Sequence, residues 1–333
     1  MDIKRKKKNL RASEGSILVL TLWILTMLVL LSVGLGYSTS IDQRLVSYQR
    51  DRLRALYLAK AGYFRALVEI EQDATPEVDS YLETWAQNPE VFQDVALGKG
   101  IFTVSYTMPG EEGEKEVIHG IVDEDRKVNI NTAPEAVLLR LPGMDEEIVE
   151  SILEWREDHS GEGEGEGKEK GKEEEKEKPF GVLEELLEVE GMTEEVFKAL
   201  QPVTTVYTDG NVNLNTSPKE VLNSLGMDDD LVNKIIRFRM GLDDIRGTED
   251  DQFFTAIASA QQQLNSFEPL TPEETAQLTA VVSQNLLKVT SGFFRIYSRG
   301  TVRDGKIARS VEGVIQRPTE PEGRFVVLSW HEY

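Results

Sequence analysis

The feature that most constrains this chain is an uncharged, largely apolar stretch from Gly15 to Ile41. It is 27 residues long and follows a basic leader in which six Lys or Arg residues stand against two acidic ones. At about 1.5 Å per residue, a helix of this length spans roughly 40 Å, which is enough to cross a hydrocarbon core of about 30 Å. The positive-inside rule predicts a cytoplasmic leader, with the rest of the chain on the other side of the membrane.

The helical pattern continues beyond this stretch. Apolar residues recur mostly three or four apart from Ile41 to Val68, and no proline occurs before Pro76. We therefore predict one helix from about Ser16 to about Gln72, apolar all round in its first half and amphipathic in its second. An ordinary signal anchor is the simpler alternative. A cleaved secretory signal fits less well, because the apolar run is too long and no small-x-small site follows it.

This N-terminal arrangement resembles that of type IV pilin-like proteins, in which a basic leader ending in glycine precedes the apolar helix. The resemblance implies that a prepilin peptidase cleaves between Gly15 and Ser16 and methylates the new N-terminus. Most such subunits carry glutamate at the fifth mature position, which here is Leu20. A glutamate there neutralises the amine of a neighbouring subunit inside the membrane, where an unpaired charge is costly. A chain without it fits a first or tip subunit.

Strand-like segments flank a long helical region. They show alternating apolar and polar residues with turn signals between them, including the pair Asp304-Gly305, and they cover residues 100–108, 115–125, 291–302, 307–317 and 324–330. We predict an α+β fold in which the long helix packs its apolar stripe on a small antiparallel sheet. A large all-helical domain of helix-hairpin-helix (SAM-like) type would be inserted between the strands. Three consecutive units are the alternative, but neither flank alone has enough strands to be stable.

These patterns divide the chain into five expected parts. They are the leader (1–15), the pilin-like helix (16–72), an α+β domain in two pieces (73–127 and 289–333), the inserted helical domain (128–288) and, within it, an acidic Gly/Lys/Glu loop (161–179). The loop has no apolar residue, so it cannot bury a core and is expected to be disordered. Its flexible carboxylates make a poor calcium cage, because calcium needs ligands fixed around one ion.

Three Gly-Met turns recur in the helical region, at residues 143, 191 and 226, each between two short apolar-periodic segments. The first and third follow the related strings "VNINTAPEAVL" and "VNLNTSPKEVL". We expect the leading Val-Asn segments to be short and extended, with their Asn side chains satisfying turn backbone. Thr132 and Thr216 would cap the helices that follow, with Pro134 and Pro218 in the first turn.

These repeats resemble the sequences of helix-hairpin-helix units that bind DNA. Such hairpins offer backbone N–H groups to a phosphate, usually through a second glycine two residues after the first. The position of that second glycine is occupied here by Asp145, Thr193 and Asp228, and acidic residues follow each of them. The net charge of the chain is −22, whereas phosphate binding needs an excess of Lys and Arg. We therefore expect a structural or protein-binding role and no nucleic-acid partner.

Other classes of function have little support in the sequence. Without cysteine, thiol catalysis and thiolate metal sites are excluded, and the three histidines are scattered. No Ser-His-Asp order, phosphate loop or metal motif is present, so we expect no enzymatic activity.

The whole chain resembles the minor pseudopilin K family of type II secretion systems, the general secretion pathway protein K family. The resemblance rests on the missing glutamate at Leu20, a strand pair, the paired Asn-Thr-Pro strings with "FGVLEELLEVEGM" between them, and a closing hairpin before "VVLSWHE". It implies a subunit that starts the pseudopilus and sits at its tip in the bacterial inner membrane, with a periplasmic globular part. Some members of the family hold Ca²⁺, but the resemblance assigns no ligands here.

The resemblance also implies partners. These are other minor pseudopilins of the I and J types (with the H type as a further candidate), the major pseudopilin, the prepilin peptidase and the inner-membrane secretion assembly. The expected contact residues on the helix stripe are Leu45, Leu53, Leu56, Phe64 and Leu67. Two alternatives stay open: a minor pilin of a type IV pilus, and a membrane-anchored DNA-binding protein that uses the hairpins.

Overall fold

The computed structural model describes residues 14–109, 115–157, 179–243, 246, 248, 250–320 and 323–333. The first element is the helix α1 (Glu14–Glu71), which agrees closely with the predicted span. The chain forms two compact units, residues 1–54 and residues 55–333, and α1 contributes to both. The acidic loop expected at 161–179 lies outside the described residues except for its last one.

The first unit is the N-terminal part of α1. Its apolar side chains are exposed, and it holds the one helix in the described part of the chain that is long and apolar enough to cross a membrane. The hydroxyls of Thr21, Thr26 and Thr39 each donate to a backbone carbonyl three or four residues earlier. These polar groups are therefore satisfied within the helix, as an apolar environment requires.

The second unit combines short helices with an antiparallel sheet. Besides α1, its helices are α2 (Pro89–Phe92), α3 (Glu135–Leu138), α4 (Glu146–Glu157), α5 (Glu194–Leu200), α6 (Lys219–Ser224), α7 (Asp229–Met240), α8 (Ala260–Phe267) and α9 (Pro272–Ser283). Short 3₁₀ helices are Glu124–Arg126, Leu183–Glu188 and Ile257–Ser259. The helical region between the flanking strands is therefore confirmed, although the segment before the second Gly-Met turn is 3₁₀ instead of α-helical.

The strands are β1 (Val95–Leu97), β2 (Gly100–Val104), β3 (Tyr106–Pro109), β4 (Lys115–Ile118), β5 (Val122–Asp123), β6 (Val128–Asn129), β7 (Thr204–Thr205), β8 (Val212–Asn213), β9 (Leu287–Lys288), β10 (Phe293–Val302), β11 (Ile307–Gln316) and β12 (Val326–Glu332). The main sheet has the order β1-β2-β10-β11-β12, with β5 also paired to β10, and all of its pairs are antiparallel. Strands β3 and β4 form a separate hairpin. Strands from both ends of the unit thus meet in one sheet.

The long hairpin β10–β11 is the centre of this sheet. Its ten residue pairs run from Phe293 opposite Gln316 to Val302 opposite Ile307. The turn contains Asp304 at φ 55° and Gly305 at φ 81°, a conformation that Asp and Gly adopt more easily than other residues. The turn predicted from the Asp-Gly pair is confirmed.

The part of α1 in the second unit packs on the sheet through small residues. The buried face consists of Ala55, Leu58, Ala59, Tyr63, Ala66 and Ile70, which pack with Phe102, Val104, Phe294 and Ile296. The apolar stripe predicted from Ile41 to Val68 includes Tyr57 and Phe64, but these two do not pack on the sheet, since their exposed fractions are 68% and 58%. The physical reason is that the helix backbone lies close to the strands, which the small side chains on this face allow.

Two glycines make this close approach possible. A Cβ added at Gly62 would collide with Ser298 and Phe102, and one added at Gly300 would collide with the backbone of Ala55 and Ala59. Neither glycine has a positive φ, so the constraint is space and not backbone conformation. The contact between α1 and β10 therefore depends on the absence of these two side chains.

The helical region has a hydrophobic core of its own, which runs from Val128 to Leu287 and is distinct from the core under α1. Two short parallel strand pairs frame it, β6 with β7 and β8 with β9. The extended Val-Asn segments expected from the sequence are β6 and β8. Their parallel partners, β7 and β9, were not predicted from the sequence. The two cores lie in the same compact unit, and the domain boundaries proposed from the sequence stay a prediction.

Replacing Gly300 with alanine should lower the free energy of unfolding by roughly 1–3 kcal/mol, because overpacking forces the strand away from the helix. Urea unfolding of the full chain in detergent, followed by tryptophan fluorescence, measures the change, since Trp85 lies in this core. The control is Gly34→Ala, where the new Cβ meets nothing within 4 Å. Equal urea midpoints for the two variants would contradict the close helix–strand contact.

Candidate functional site

The three Gly-Met turns share one conformation. Gly143, Gly191 and Gly226 have φ values of 76°, 81° and 101°, a region that favours glycine. Each glycine ends a short helical segment and precedes a second helix, as the sequence predicted. The chain therefore contains three helical hairpins with the same turn chemistry.

The residue two positions after each glycine caps the second helix. Asp145 Oδ1 accepts from Ile148 N at 2.9 Å, Thr193 Oγ1 from Val196 N at 3.2 Å, and Asp228 Oδ1 from Leu231 N at 2.9 Å. A DNA-binding hairpin would turn these N–H groups toward a phosphate. Here side-chain oxygens occupy them, and two of the three caps are acidic, so the hairpins disfavour a phosphate ligand.

The predicted caps of the preceding helices are wrong. Thr132 and Thr216 do not cap α3 and α6, because Pro134 and Pro218 stand at the N-cap positions with extended backbone and no side-chain cap. The turn is made earlier by asparagine. Asn129 Oδ1 accepts from Asn131 N at 2.8 Å, and Asn213 Oδ1 accepts from Asn215 N at 2.9 Å. That role for asparagine agrees with the sequence prediction.

Asn213 also belongs to a buried polar junction between the helical region and the sheet. The carboxylate of Asp123, at the end of β5, is 2% exposed. Its Oδ2 accepts from Thr216 Oγ1 at 2.5 Å, from Ser291 Oγ at 2.6 Å and from Asn213 Nδ2 at 3.1 Å. Its Oδ1 accepts from Asp125 N at 2.8 Å. One side chain thus joins three segments of the chain.

The two acids next to Asp123 are buried as well. Glu124 forms a bidentate pair with Arg295, at 2.9 Å to Nε and 2.7 Å to Nη2, and accepts from Thr205 Oγ1 at 2.7 Å. Asp125 accepts from the backbone N–H groups of Gly292 and Phe293. These contacts fix the position where β10 leaves the helical region.

A second acid reaches the same junction from the segment after α1. Asp79 Oδ2 accepts from Ser291 N at 2.6 Å, and its carboxylate faces Arg317 at 3.1 Å. Asp79 O accepts from Asn213 Nδ2 at 3.2 Å. Asp79 therefore connects the end of the α1 segment with both the helical region and the sheet.

Burial changes the acidity of this cluster. It raises the pKa of Asp79 to about 7, although Arg317 opposes the shift. Burial, followed by the nearby Asp123 carboxylate, raises the pKa of Asp125 to about 8. Burial alone would also raise the pKa of Glu124, but Lys127 and Arg295 outweigh it and hold that pKa well below its usual range.

This junction was not predicted from the sequence. The run Asp123 to Lys127 is wholly charged, and such a run normally forms a solvated turn, yet all five residues are buried. The usable signal was the pair of repeated Asn-Thr strings, whose polar side chains point to a site that needs many hydrogen bonds.

One group of carboxylates outside the junction could hold a metal ion. Oxygens of Asp243, Asp250 and Asp251 lie within 4.8 Å of one another, and Thr248 Oγ1 approaches all three. The donors are all oxygen, which suits a hard cation such as Ca²⁺, whose sites use six to eight oxygen ligands. Three protein carboxylates would supply part of such a shell, and Ca²⁺ binding by this chain stays a prediction.

The predicted processing and partner residues all lie on α1. Gly15 and Ser16 are in its first turn, and Leu20 is exposed. Of the expected contact residues, Leu45, Leu53 and Phe64 are exposed, whereas Leu56 and Leu67 are half-buried against the sheet core. The structure therefore leaves Leu56 and Leu67 less surface for a partner than the sequence suggested.

An aromatic patch lies on the second unit, and of its members the sequence predicted only Phe64 as a contact residue. Trp330 of β12 contacts Tyr63 with ring centroids 4.8 Å apart, and Lys60 Nζ lies over the rings of both Trp330 and Tyr57. Lys60 also pairs with Glu332 at 2.7 Å. We call Tyr57, Lys60, Phe64 and Trp330 the aromatic patch. Exposed aromatics with a flanking cation are typical of protein interfaces.

Comparisons with known proteins address the N-terminal helix and the fold. Residues 14–64 match the family model described as PilX N-terminal. The chain shares its fold with one chain of the crystal structure of the GspK-GspI-GspJ complex from the type 2 secretion system of enterotoxigenic Escherichia coli. The two are 16% identical with a TM-score of 0.58, and the similarity covers 88% of this chain and 99% of that one. No curated protein sequence matches the chain.

These comparisons show that the chain shares its fold with a chain of that complex, as the family resemblance implies. They also agree with a pilin-like N-terminal helix carrying one apolar segment that can anchor the chain in a membrane. Processing sites, partner residues and the tip position are not tested by them and stay predictions.

The buried junction predicts that stability falls as pH rises from about 5 to about 7.5. In the unfolded chain Asp79 and Asp125 release their protons near pH 3.9, but the folded chain keeps them until about pH 7 and 8. Folding therefore binds protons in this window, and each group contributes a slope of up to about 1.4 kcal/mol per pH unit. Urea midpoints of the full chain at the two pH values measure the effect.

Asp125→Asn removes one of the two titrating groups and should flatten the profile. Exposed Asp304→Asn serves as the matched control and should leave the slope unchanged. A midpoint that is constant or rises between pH 5 and 7.5 in the unmodified chain would contradict the assignment.

Proposed function

We propose that this chain is a minor pseudopilin of the K type, which initiates the type II secretion pseudopilus and sits at its tip. The observation that carries the proposal is the shared fold over 88% of this chain and 99% of a chain from a GspK-GspI-GspJ complex. The pilin-like match over residues 14–64 supports it independently, because the matched segment contains the apolar helix. In this role the chain is anchored by α1, with the second unit in the periplasm.

Two features of the chain support the proposed tip position. Leu20 lacks the carboxylate that would pair with the N-terminal amine of a subunit ahead of it, and burial of an unpaired amine in the membrane is costly. The helical region also adds bulk to the sheet, which limits the addition of a further subunit above it. Both features fit a subunit that has neighbours on one side only.

The aromatic patch and the exposed residues of α1 are the proposed partner surface. Phe64 and Tyr57 are more than half exposed, and Trp330 is 36% exposed beside them. Large rings bury much area when a partner covers them and lose little side-chain entropy. They offer apolar contacts on the second unit for other minor pseudopilins of the I and J types. Leu45 and Leu53, in the first unit, are exposed and are separate contact candidates.

A minor pilin of a type IV pilus is the second candidate, because the same N-terminal match fits either filament. Deletion of the gene in the producing bacterium distinguishes the two. Loss of protein secretion with intact pili supports the pseudopilin, and loss of pili with intact secretion supports the pilin. A DNA-binding role is disfavoured by the capped hairpins. Retention of the full chain on DNA at low salt would revive it.

Processing should remove residues 1–15 and leave a methylated Ser16 at the N-terminus. Co-expression with a prepilin peptidase, followed by mass spectrometry of the purified chain, measures the mature mass. Gly15→Val should block cleavage, since it enlarges the residue before the cut, while Gly34→Ala should be processed normally. An intact Met1 in the presence of active peptidase, or a cut beyond Gly36, would contradict the proposal.

The full chain should co-purify in detergent with I-type and J-type minor pseudopilins as one complex. Phe64→Ser should reduce the recovered partners at least tenfold, because it removes an exposed ring from the proposed interface. Phe253→Ser is the matched control, since this phenylalanine is exposed on the helical region. Equal recovery with both variants would remove the aromatic patch from the interface, and no complex with the unmodified chain would oppose the proposed function itself.

A further inference from the structure

A cleft of about 750 Å³ lies between the sheet and the helical region of the second unit. One wall is formed by β3, β10, β11 and the end of β12, and the other by the turn at Leu183 and the end of α5. Tyr106, Tyr207 and Tyr297 line it, together with Arg126 and Gln201. The volume is in the range of sites for small organic ligands.

Arg126 is the unusual member of this lining. Its side chain is 7% exposed, yet within the described residues its guanidinium makes no hydrogen bond, and its Nε is buried without a partner. The neighbouring cations differ, since Arg295 and Lys127 both face Glu124, and Lys198 pairs with Glu194. The nearby carboxylates of Asp123 and Glu124 stabilise its charge, but neither accepts a hydrogen bond from the guanidinium, so Arg126 keeps unused donors for an anion.

The surroundings indicate which anion fits. A guanidinium binds carboxylate and phosphate equally well by geometry. Glu184 and Glu312 also line the cleft, and their charges repel a phosphate dianion more than a single carboxylate. The tyrosine rings offer apolar surface to a carbon skeleton. The cleft therefore favours an organic carboxylate over an inorganic anion.

We propose that this cleft binds an organic carboxylate, whose anionic group pairs with Arg126 while the tyrosine rings pack against its carbon atoms. The carboxylate belongs either to a small dicarboxylic acid or to an acidic side chain of an extended peptide. The site goes beyond the proposed secretion role and does not depend on it.

Titration calorimetry of the full chain in detergent tests the site with three probes. These are glutarate, the peptide acetyl-Ala-Glu-Ala-amide and its neutral match acetyl-Ala-Gln-Ala-amide. We expect saturable binding of at least one carboxylate probe and none of the glutamine peptide. Binding of glutarate alone identifies a small-molecule site, and binding of the glutamate peptide alone identifies a site for a protein segment.

Arg126→Gln should weaken binding of the active probe at least tenfold, and Arg126→Lys should retain part of the affinity because it keeps the charge without the planar fork. Should Arg126→Gln fail to fold, Gln201→Trp fills the mouth of the cleft from an exposed position and should weaken binding as strongly. Arg237→Gln, on a different surface, is the control and should bind normally. The proposal is overturned if neither carboxylate binds at millimolar concentration, or if Gln201→Trp binds like the unmodified chain.

Discussion

The carboxylate of Asp123 joins parts of the chain that are far apart in sequence. It accepts hydrogen bonds from Asn213 and Thr216 at the third hairpin and from Ser291 just before β10. Asp79 adds the segment after α1 through the backbone N–H of Ser291. A buried carboxylate is tolerated only when its lone pairs are filled, so the helical region can occupy only the orientation that fills them. The sheet and the helical region are fixed to each other by this requirement.

Much of the fold could be predicted from the sequence because its signals are local. The long helix follows from an uncharged stretch without proline, and the hairpin β10–β11 follows from alternation around Asp304-Gly305. The Gly-Met turns were also predictable, since Gly143 and its equivalents need a positive φ. In each case, neighbouring residues decide the conformation, and distant contacts only select among a few arrangements.

What could not be predicted depends on contacts between distant residues. The sequence pattern wrongly placed Phe64 on the face of α1 that packs on the sheet. Hydrophobic periodicity favours large apolar residues, whereas the strands accept alanine and glycine on this face. The space that Gly300 leaves for the helix backbone is visible only when both elements are in place. The burial of Asp125 was hidden for the same reason, since its partners are the side chain of Lys288 and backbone N–H groups some 167 residues away.

The two faces of α1 in the second unit suggest how one helix serves both folding and assembly. Small residues such as Ala55 and Ala59 let the backbone approach the sheet, so the helix is held without using its large side chains. Tyr57 and Phe64 are then left exposed beside Trp330 on the neighbouring strand. An exposed ring costs the monomer hydrophobic stabilisation, but it becomes favourable once a partner covers it. The contact that fixes the helix on its sheet and the surface proposed for other subunits are therefore carried by different residues, and each can change without destroying the other.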